Sequence, residues 1–249
     1  MSTLSAIPPL IHLIWYQGWE QRPTFGRQYA ETWEMEHPHY TVLKWDQSKL
    51  EKVFADLLPE DIKQTIDSLP EIVQKVDLWR LVILKYLGGI YVDLDFICLR
   101  NISDYLYGYE FVVSEEHDGI IANGFIATTE SHPLIQKAID SIIHYGLPKS
   151  ISWENDVAIR QTKRYVLETT GPHIISLIWR KEIESMTPGD RKLVHVETDT
   201  QKFFPMKYDE YDVSKQDVDI ESAKQEYPNS YAVHIYWGSW TYNKNLFKV

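Results

Sequence analysis

Two aspartates separated by one residue, Asp93 and Asp95, are the first candidates for chemistry in this sequence. They follow a short apolar stretch, residues 90–92, that predicts a strand. Strand alternation would place both carboxylates on one side of the chain. Two acids held close together repel each other unless a proton or a cation lies between them. Their oxygen atoms are suitable ligands for Mg²⁺ or Mn²⁺. The same short pattern also occurs where a strand simply ends in a polar loop without a functional role.

The segment before these acids predicts a buried helix. Residues 72–87 read IVQKVDLWRLVILKYL and are apolar almost all round. Asp77 and Arg80 lie three residues apart within it and therefore share one face. Buried charges are costly unless they are paired or used, so the two form an internal ion pair, line a polar cavity, or do both. Gly88 and Gly89 permit the backbone turn that ends the helix.

The motifs around the acids resemble a known family. The sequence DLWR at residues 77–80, followed by GGIYVDLD at residues 88–95, resembles the DXD sugar-binding region of glycosyltransferase family 32. That family includes yeast-type initiating mannosyltransferases and inositol-phosphoceramide mannosyltransferases, and the glucosylating domains of clostridial toxins look like distant relatives. Further similar blocks, in the same order, are residues 7–15, 123–125, 170–172, 203–205 and 234–240.

The resemblance implies a GT-A-type α/β fold, which is a Rossmann-like mixed sheet with flanking helices, in a single domain over residues 1–249. The alternation of apolar strands and helices along the chain independently favours an α/β sheet. The implied activity is metal-dependent, retaining transfer of a hexose from a UDP- or GDP-sugar to a hydroxyl of a glycan, glycolipid or protein. The sequence offers no obvious nucleophile, which favours front-face attack over a covalent intermediate.

The resemblance also implies roles for the charged residues. Asp95 would bind Mn²⁺ (or Mg²⁺), and Asp93 would contact hydroxyls of the sugar and ribose besides supporting the metal. Asp77 and Arg80 would hold hydroxyls of the donor sugar. His234 would complete the metal site, because a neutral imidazole can join two carboxylates as a ligand. The toxin-like relatives carry an acid in that block, and a single His in an apolar strand is also typical of a structural residue.

The remaining predicted site residues belong to the donor site. Trp15, with Ile14 beside it, would stack on the base, and Asn123 would line the donor and acceptor side. Tyr91 is a core residue or a support for the acids. Ser239 and Trp240 would meet the diphosphate, because a hydroxyl and an indole are both hydrogen-bond donors.

Composition excludes several other classes of protein. The net charge of −11 argues against binding nucleic acid through its phosphates. Cys98 is the only cysteine, so no intrachain disulfide forms, which fits a reducing compartment. No stretch is long and apolar enough for a transmembrane segment. We therefore expect a cytoplasmic protein that reaches a membrane, if at all, through its acceptor.

Two other functions are compatible with parts of the pattern. A phosphotransferase of the haloacid-dehalogenase type also has Asp-x-Asp after an apolar strand as its first motif. In that motif a pair such as Gly-Thr follows the second acid, whereas Phe96-Ile97 follow here. A sugar-binding module with a degenerate site is the non-enzymatic alternative. Elsewhere the sequence predicts a helix at residues 153–167, a surface loop or flap at residues 209–226 and a strand at residues 231–237.

Overall fold

The computed structural model describes residues 6–145, 164–207 and 218–237. The strands are β1 (Leu10–Ile14), β2 (Thr41–Trp45), β3 (Gly89–Val92), β4 (Phe96–Cys98), β5 (Phe111–Glu115), β6 (Ile121–Thr128), β7 (Val194–Glu197) and β8 (Ala232–His234). The helices are α1 (Thr24–Glu36), α2 (Gln47–Phe54), α3 (Glu60–Ser68), α4 (Ile72–Leu87), α5 (Pro133–Tyr145), α6 (Pro172–Glu184), α7 (Pro188–Arg191) and α8 (Ile220–Glu226). Residues 164–169 are helical as well.

Six of these strands form one mixed sheet in the order β2-β1-β3-β6-β5-β7. β1 is parallel to both β2 and β3, whereas β6 is antiparallel to β3 and to β5. β7 closes the far edge parallel to β5. The predicted α/β fold with a mixed sheet and flanking helices is thus confirmed. β4 and β8 pair separately as an antiparallel two-stranded sheet.

Both faces of the large sheet are buried. One face of β3, β5 and β6 packs with α4, α5 and α6 into a core that includes Trp79, Tyr91 and Trp179. The opposite face packs with α1 and the small sheet around Trp33 and Phe96. Because successive strand residues point to opposite faces, neighbours on β3 belong to different cores. The strands beneath the site are therefore held from both sides.

α4 is the buried helix that its composition predicts. Residues 77–84 of this helix are all buried, and Asp77 and Arg80 are each only 3% exposed. Glu71 and Gln74 form a reciprocal capping box at its start. Gly88 ends the helix with φ 59°, and Gly89 follows with φ 96°, where a side chain would collide with the carbonyl oxygen of Leu10 at 2.7 Å. This tight exit directs the chain at once into β3, beside β1.

Two predicted elements differ from the structure. The strand predicted at residues 231–237 is shorter, since β8 ends at His234 and Tyr236 adopts a positive φ of 51°, which an extended strand does not accommodate. The loop or flap predicted at residues 209–226 is wrong in its last part, because Ile220–Glu226 is helical. Asp219 caps that helix by accepting a hydrogen bond from the amide of Ser222. Residues 208–217 lie outside the described residues.

Other predictions concern the middle of the chain. Pro172 opens α6 at its first position, as the Thr170-Gly171-Pro172 sequence predicts. Of the helix predicted at residues 153–167, residues 164–167 are helical and the rest lies outside the described residues. Within the described ranges, no helix has both the length and the apolar character needed to cross a bilayer.

Candidate functional site

A cavity of about 460 Å³ lies at the carboxyl ends of β1 and β3. Nine of the site residues predicted from the sequence line it: Ile14, Trp15, Asp77, Arg80, Tyr91, Asp93, Asp95, Asn123 and His234. Ser239 and Trp240 lie outside the described residues, so their proposed contacts with a diphosphate stay predictions. The position of the cavity agrees with the general placement of ligands at the carboxyl ends of strands in α/β sheets.

Asp93 and Asp95 lie in a turn and not in a continuous strand. β3 ends at Val92, and the amide of Phe96 donates to the carbonyl oxygen of Asp93 at 3.1 Å, closing the turn. The amide of Asp93 is fixed in addition by the carbonyl oxygen of Gly124 on β6 at 2.9 Å. The two acids are close together, as the sequence predicts, but strand alternation is the wrong explanation. The turn after β3 brings them together.

His234 reaches this turn because β8 pairs with β4. In that pairing Phe96 lies opposite His234, and the two rings stack with their centroids 4.5 Å apart. Nε2 of His234 lies 3.1 Å from Oδ1 of Asp95, and the amide of Trp237 donates to Oδ2 at 3.1 Å. The amide of Ile235 also donates to the carbonyl oxygen of Asp95 at 2.9 Å. Asp95 is consequently held from its backbone and from both carboxylate oxygens.

The Asp95–His234 contact is that of an ion pair. Burial by itself would raise the pKa of Asp95, but the neighbouring His234 and the hydrogen bonds from His234 and Trp237 outweigh it and lower that pKa. Burial would likewise lower the pKa of His234, but the carboxylate of Asp95 raises it. Each group thus favours the charged form of the other.

The donor set formed by Asp93, Asp95 and His234 fits a small divalent cation. One ligand atom from each of these residues lies within 4.8 Å of the other two. Two carboxylate oxygens and a neutral imidazole nitrogen are a combination that Mn²⁺ and related ions accept, so His234 would release its proton when such an ion binds. A cation among these atoms would also offset the repulsion between the two carboxylates.

Asp93 is oriented by Arg80 and Tyr91. Nη1 of Arg80 lies 3.2 Å from Oδ1 of Asp93, and the hydroxyl of Tyr91 donates to the same oxygen at 2.6 Å. The guanidinium also lies over the Tyr91 ring, 4.7 Å from its centroid. Burial would lower the pKa of Arg80, but Asp93, Tyr91 and Asp77 together raise it, so the side chain stays cationic. Oδ2 of Asp93 is left facing the cavity side of β6.

Asp77 is the most enclosed carboxyl group of the site. Nη2 of Arg80 lies 2.8 Å from its Oδ1, and the Asn123 amide donates to the same oxygen at 3.0 Å. The hydroxyl of Thr170 donates to Oδ2 at 2.8 Å. Burial nevertheless raises the pKa of Asp77 to about 7. Asp77 and Arg80 are therefore both an internal ion pair and part of the cavity wall.

β6 supplies the opposite wall through Asn123 and Gly124. The carbonyl oxygen of Asn123 accepts a hydrogen bond from Nη1 of Arg80 at 2.7 Å, so Asn123 supports the charged pair with both its backbone and its side chain. A β-carbon at Gly124 would lie 2.7 Å from Oδ2 of Asp93. Glycine at this position is what lets the first acid approach the strand.

Trp15 closes the end of the cavity next to β1. Its side chain is 7% exposed, and its ring lies 6.3 Å from that of Trp237, centroid to centroid. Ile14 lines the cavity but is also part of the core packed against α4. An indole face at this end offers a surface on which a planar ring can stack.

Thr170 and Glu116 are among the polar residues of the site that the sequence analysis missed. Thr170 is fully buried and holds Asp77, although 93 residues separate the two. Glu116 lines the cavity from the β5–β6 hairpin, and the Tyr236 hydroxyl lies 3.5 Å from its Oε2. Burial raises the pKa of Glu116 to about 7. The hairpin itself is anchored by Arg180, which donates to Glu115 and to the Gly119 carbonyl.

Comparison with known families supports this picture. Residues 23–112 match the family model described as glycosyltransferase sugar-binding region containing DXD motif. The matched region contains α4, β3 and both acids of the motif. The resemblance to the DXD glycosyltransferases predicted from the sequence is confirmed by this match and by the curated relatives.

Those relatives are viral and fungal. An uncharacterized glycosyltransferase of Acanthamoeba polyphaga mimivirus is 30% identical over 131 residues, covering 51% of this chain and 52% of that protein. Inositol phosphoceramide mannosyltransferase 3 of Schizosaccharomyces pombe is 26% identical over 175 residues, which is 70% of this chain and 45% of that protein. The chain thus spans about half the length of these relatives.

Solved structures confirm the fold. The PaToxG glycosyltransferase aligns with a TM-score of 0.54 at 20% identity, over 72% of this chain and 70% of that one. The catalytic domain of alpha-toxin from Clostridium novyi aligns with the same TM-score at 10% identity, over 98% of this chain and 81% of that one. These are glycosyltransferase domains of the GT-A type, and at such identities the likeness concerns the fold alone.

Proposed function

We propose that the chain is a metal-dependent, retaining glycosyltransferase that moves a hexose from a nucleotide-diphosphate sugar to an acceptor hydroxyl. The observation that carries this proposal is the convergence of Asp93, Asp95 and His234, with ligand atoms within 4.8 Å of one another, in a cavity that also holds the Asp77–Arg80 pair. A divalent ion, a diphosphate and a sugar each find suitable partners in that arrangement.

Asp93, Asp95 and His234 would hold Mn²⁺ or Mg²⁺. When bound, such an ion neutralises charge on a diphosphate and so makes a nucleoside diphosphate a better leaving group. The three residues come from the turn after β3 and from β8, so the site is complete only when the small sheet is formed.

The other residues of the cavity would hold the donor. Arg80, kept cationic by its acidic neighbours, lies where a guanidinium can donate to sugar hydroxyls, and Asp77 offers its remaining oxygen lone pairs beside it. Trp15 would stack on the base, and Ser239 and Trp240 would meet the diphosphate. We also propose that residues 1–249 form one glycosyltransferase domain.

The relatives support a hexosyl donor and a hydroxyl acceptor. Fungal relatives are described as mannosyltransferases, some of them acting on inositol phosphoceramide. GDP-mannose is therefore the first donor to test, with UDP-hexoses beside it, and a glycan, glycolipid or protein is the acceptor class. The resemblance favours front-face attack, in which the acceptor hydroxyl attacks the anomeric carbon from the side that the diphosphate leaves. The departing phosphate oxygen would take up the proton of that hydroxyl. A cytoplasmic location remains a prediction.

The test is release of nucleoside diphosphate from a panel of UDP- and GDP-sugars with Mn²⁺, Mg²⁺ or a chelator. We expect turnover of at least one donor that requires the metal, and loss of that turnover in Asp95→Asn and His234→Ala. The control is Asp56→Asn, which removes an exposed acid outside the cavity. Circular dichroism must show that each variant is folded. Metal-independent turnover, or normal turnover in folded Asp95→Asn, would contradict the proposal.

Retention is tested on the product. Nuclear magnetic resonance of the anomeric proton reports whether the transferred sugar keeps the configuration that it has in the donor. A product of inverted configuration would still show that the protein transfers a sugar, but it would exclude front-face attack.

A further inference from the structure

We propose that Glu116 binds the acceptor: its carboxylate accepts a hydrogen bond from an acceptor hydroxyl, and this end of the cavity selects an uncharged saccharide over a phosphorylated one. This assignment rests on the proposed function, because it names the acceptor class of the same reaction.

Glu116 and Trp15 lie on opposite sides of the proposed metal ligands. In the sheet β3 lies between β1 and β6, so the turn after β3 separates the end of β1 from the β5–β6 hairpin. The segment after β8 contacts both sides. On one side the Trp237 ring lies 6.3 Å from the Trp15 ring, centroid to centroid. On the other side the Tyr236 hydroxyl lies 3.5 Å from Oε2 of Glu116. A nucleotide that stacks on Trp15, with its diphosphate at the metal, therefore leaves the hairpin side to the second substrate.

The hairpin extends past the residues proposed to hold the donor sugar. β3 ends opposite Phe125, whereas β6 already begins at Ile121. The amide of Glu116 donates to the carbonyl oxygen of Ile120 at 2.8 Å, which fixes the backbone of the hairpin at this residue. Glu116 therefore lies farther out along the cavity wall than Asn123, which contacts the buried charged pair of α4.

The carboxyl group of Glu116 has capacity to bind a ligand. The side chain lines the cavity, and in the described part of the chain its hydrogen-bond partner is the Tyr236 hydroxyl, at the long distance of 3.5 Å. An ionised carboxylate has about four lone-pair sites, so most of them remain for other donors. The hydroxyl groups of a saccharide are donors that suit such sites.

The charges around Glu116 favour an uncharged acceptor. Asp118, on the same hairpin, also lines the cavity. Of the described residues that line the cavity, Arg80 is the only lysine or arginine, and it already contacts Asp77 and Asp93. A phosphate on the acceptor would therefore meet two carboxylates without a free lysine or arginine, and like charges placed together suppress binding.

The experiment compares acceptors at about pH 8, where Glu116, whose pKa burial raises to about 7, is mostly ionised. The neutral probes are methyl α-mannoside, methyl α-glucoside and myo-inositol, and the charged probes are mannose 6-phosphate, glucose 6-phosphate and inositol 1-phosphate. Each is added to the donor that the wild type turns over. We expect at least one neutral probe to raise nucleotide release above the rate of donor hydrolysis, with a kcat/KM about tenfold higher than that of its phosphorylated counterpart.

Two variants separate the charge of Glu116 from its position. Glu116→Gln keeps the size and removes the charge, so it should raise the KM of the neutral probe about tenfold and narrow the preference for it. Glu116→Asp keeps the charge but withdraws the carboxylate by one methylene group, so it should raise that KM while the preference persists. In both variants the calorimetric affinity for the nucleoside diphosphate with Mn²⁺ should change less than about twofold. Glu184→Gln, at an exposed position at the end of α6, is the matched control and should behave as the wild type.

The outcomes distinguish failure of the assignment from failure of the proposed function. If no UDP- or GDP-sugar is turned over, the proposed function fails and this assignment fails with it. If a donor is turned over but no neutral probe raises the rate, or the phosphorylated probes are preferred, the assignment alone is overturned. An unchanged acceptor KM in folded Glu116→Gln, or a loss of nucleotide affinity as large as the rise in acceptor KM, would overturn it as well.

Discussion

The Nη1 atom of Arg80 lies 3.2 Å from the Oδ1 atom of Asp93, so a cation buried inside α4 fixes the first acid of the Asp-x-Asp motif. The same guanidinium is 2.8 Å from Asp77 through Nη2. One side chain therefore links a buried helix to the turn that carries the proposed metal ligands. This link explains how a polar cluster persists within an apolar helix: each charge has a partner of opposite sign.

Arg80→Ala should reduce both stability and activity. The change leaves Asp77 and Asp93 without their shared cation, and removal of one partner of a buried pair costs roughly 3–5 kcal/mol of unfolding free energy. Arg80→Lys should recover part of the stability but little turnover, because one ammonium cannot reproduce the planar contacts to two carboxylates. Urea unfolding and metal-dependent nucleotide release measure the two effects, with exposed Arg27→Ala as the control. Full donor affinity in a destabilised Arg80→Ala would make the pair purely structural.

Gly124→Ala should disable the site with a smaller effect on the fold. The added methyl group would lie 2.7 Å from Oδ2 of Asp93 and would displace that carboxylate. A shift of about 1 Å in a catalytic group can cost about 100-fold in turnover. Gly26→Ala is the matched control, since nothing lies within 4 Å of its added carbon and alanine favours the helix. Equal turnover in the two variants would show that Asp93 tolerates displacement.

Thr170→Val should destabilise the protein by about 2 kcal/mol, because it removes a hydrogen bond to a buried carboxyl group without changing the shape of the side chain. We also expect a higher KM for the donor, since Asp77 loses one of the groups that orient it. Thr41→Val, at an exposed position on the edge strand β2, is the control. If urea midpoint and KM are both unchanged, the Thr170 hydroxyl contributes nothing to the placement of Asp77.

Acid should remove the contribution of His12 to stability. Burial lowers the pKa of His12 to about 4, and the neutral ring accepts from Trp45 through Nδ1 while Nε2 contacts the Gly88 carbonyl. The unfolded chain binds a proton at this residue near pH 6.5 and the native chain does not, so the contribution of His12 to stability falls as pH drops from 6.5 toward 4. This contribution falls by about 2 kcal/mol between pH 8 and pH 5, whereas Asp77 and Glu116, whose pKa burial raises to about 7, gain stability over the same range.

This pH effect is measured by urea unfolding at several pH values. Between pH 8 and pH 5 the wild type should lose about 2 kcal/mol of unfolding free energy relative to His12→Asn. His132, whose pKa burial also lowers to about 4, adds a loss that is common to both proteins. The exposed His39→Gln serves as the control. Identical slopes for His12→Asn and the wild type would contradict the assignment.

Sequence patterns predicted those parts of the site that are close together along the chain. Asp77 and Arg80 lie in one helix, and Asp93 and Asp95 lie in the turn after the next strand, so periodicity and a family motif were sufficient to group them. The fold class followed from the order of apolar segments. Even here the geometry was only partly foreseen, since a turn after Val92 places the two acids.

The residues that were missed are joined to the site by tertiary contacts. Thr170 reaches Asp77 only because α6 packs on the sheet, and Glu116 only because a hairpin folds over the cavity. No local pattern marks either residue. The α8 helix was missed for another reason: its capping pair, Asp219 and Ser222, is a standard helix start, but the acidic composition around it favoured a loop.

A ribosome delivers the two parts of the proposed metal site at different times. His234 follows Asp95 by 139 residues, so at ordinary rates of elongation roughly 7 to 28 seconds separate their synthesis. During that interval the nascent chain has the paired acids but lacks the imidazole, the Trp237 amide and the strand that covers β4. The order of synthesis therefore keeps a growing chain from displaying a finished active centre before residues 232–237 have emerged and paired.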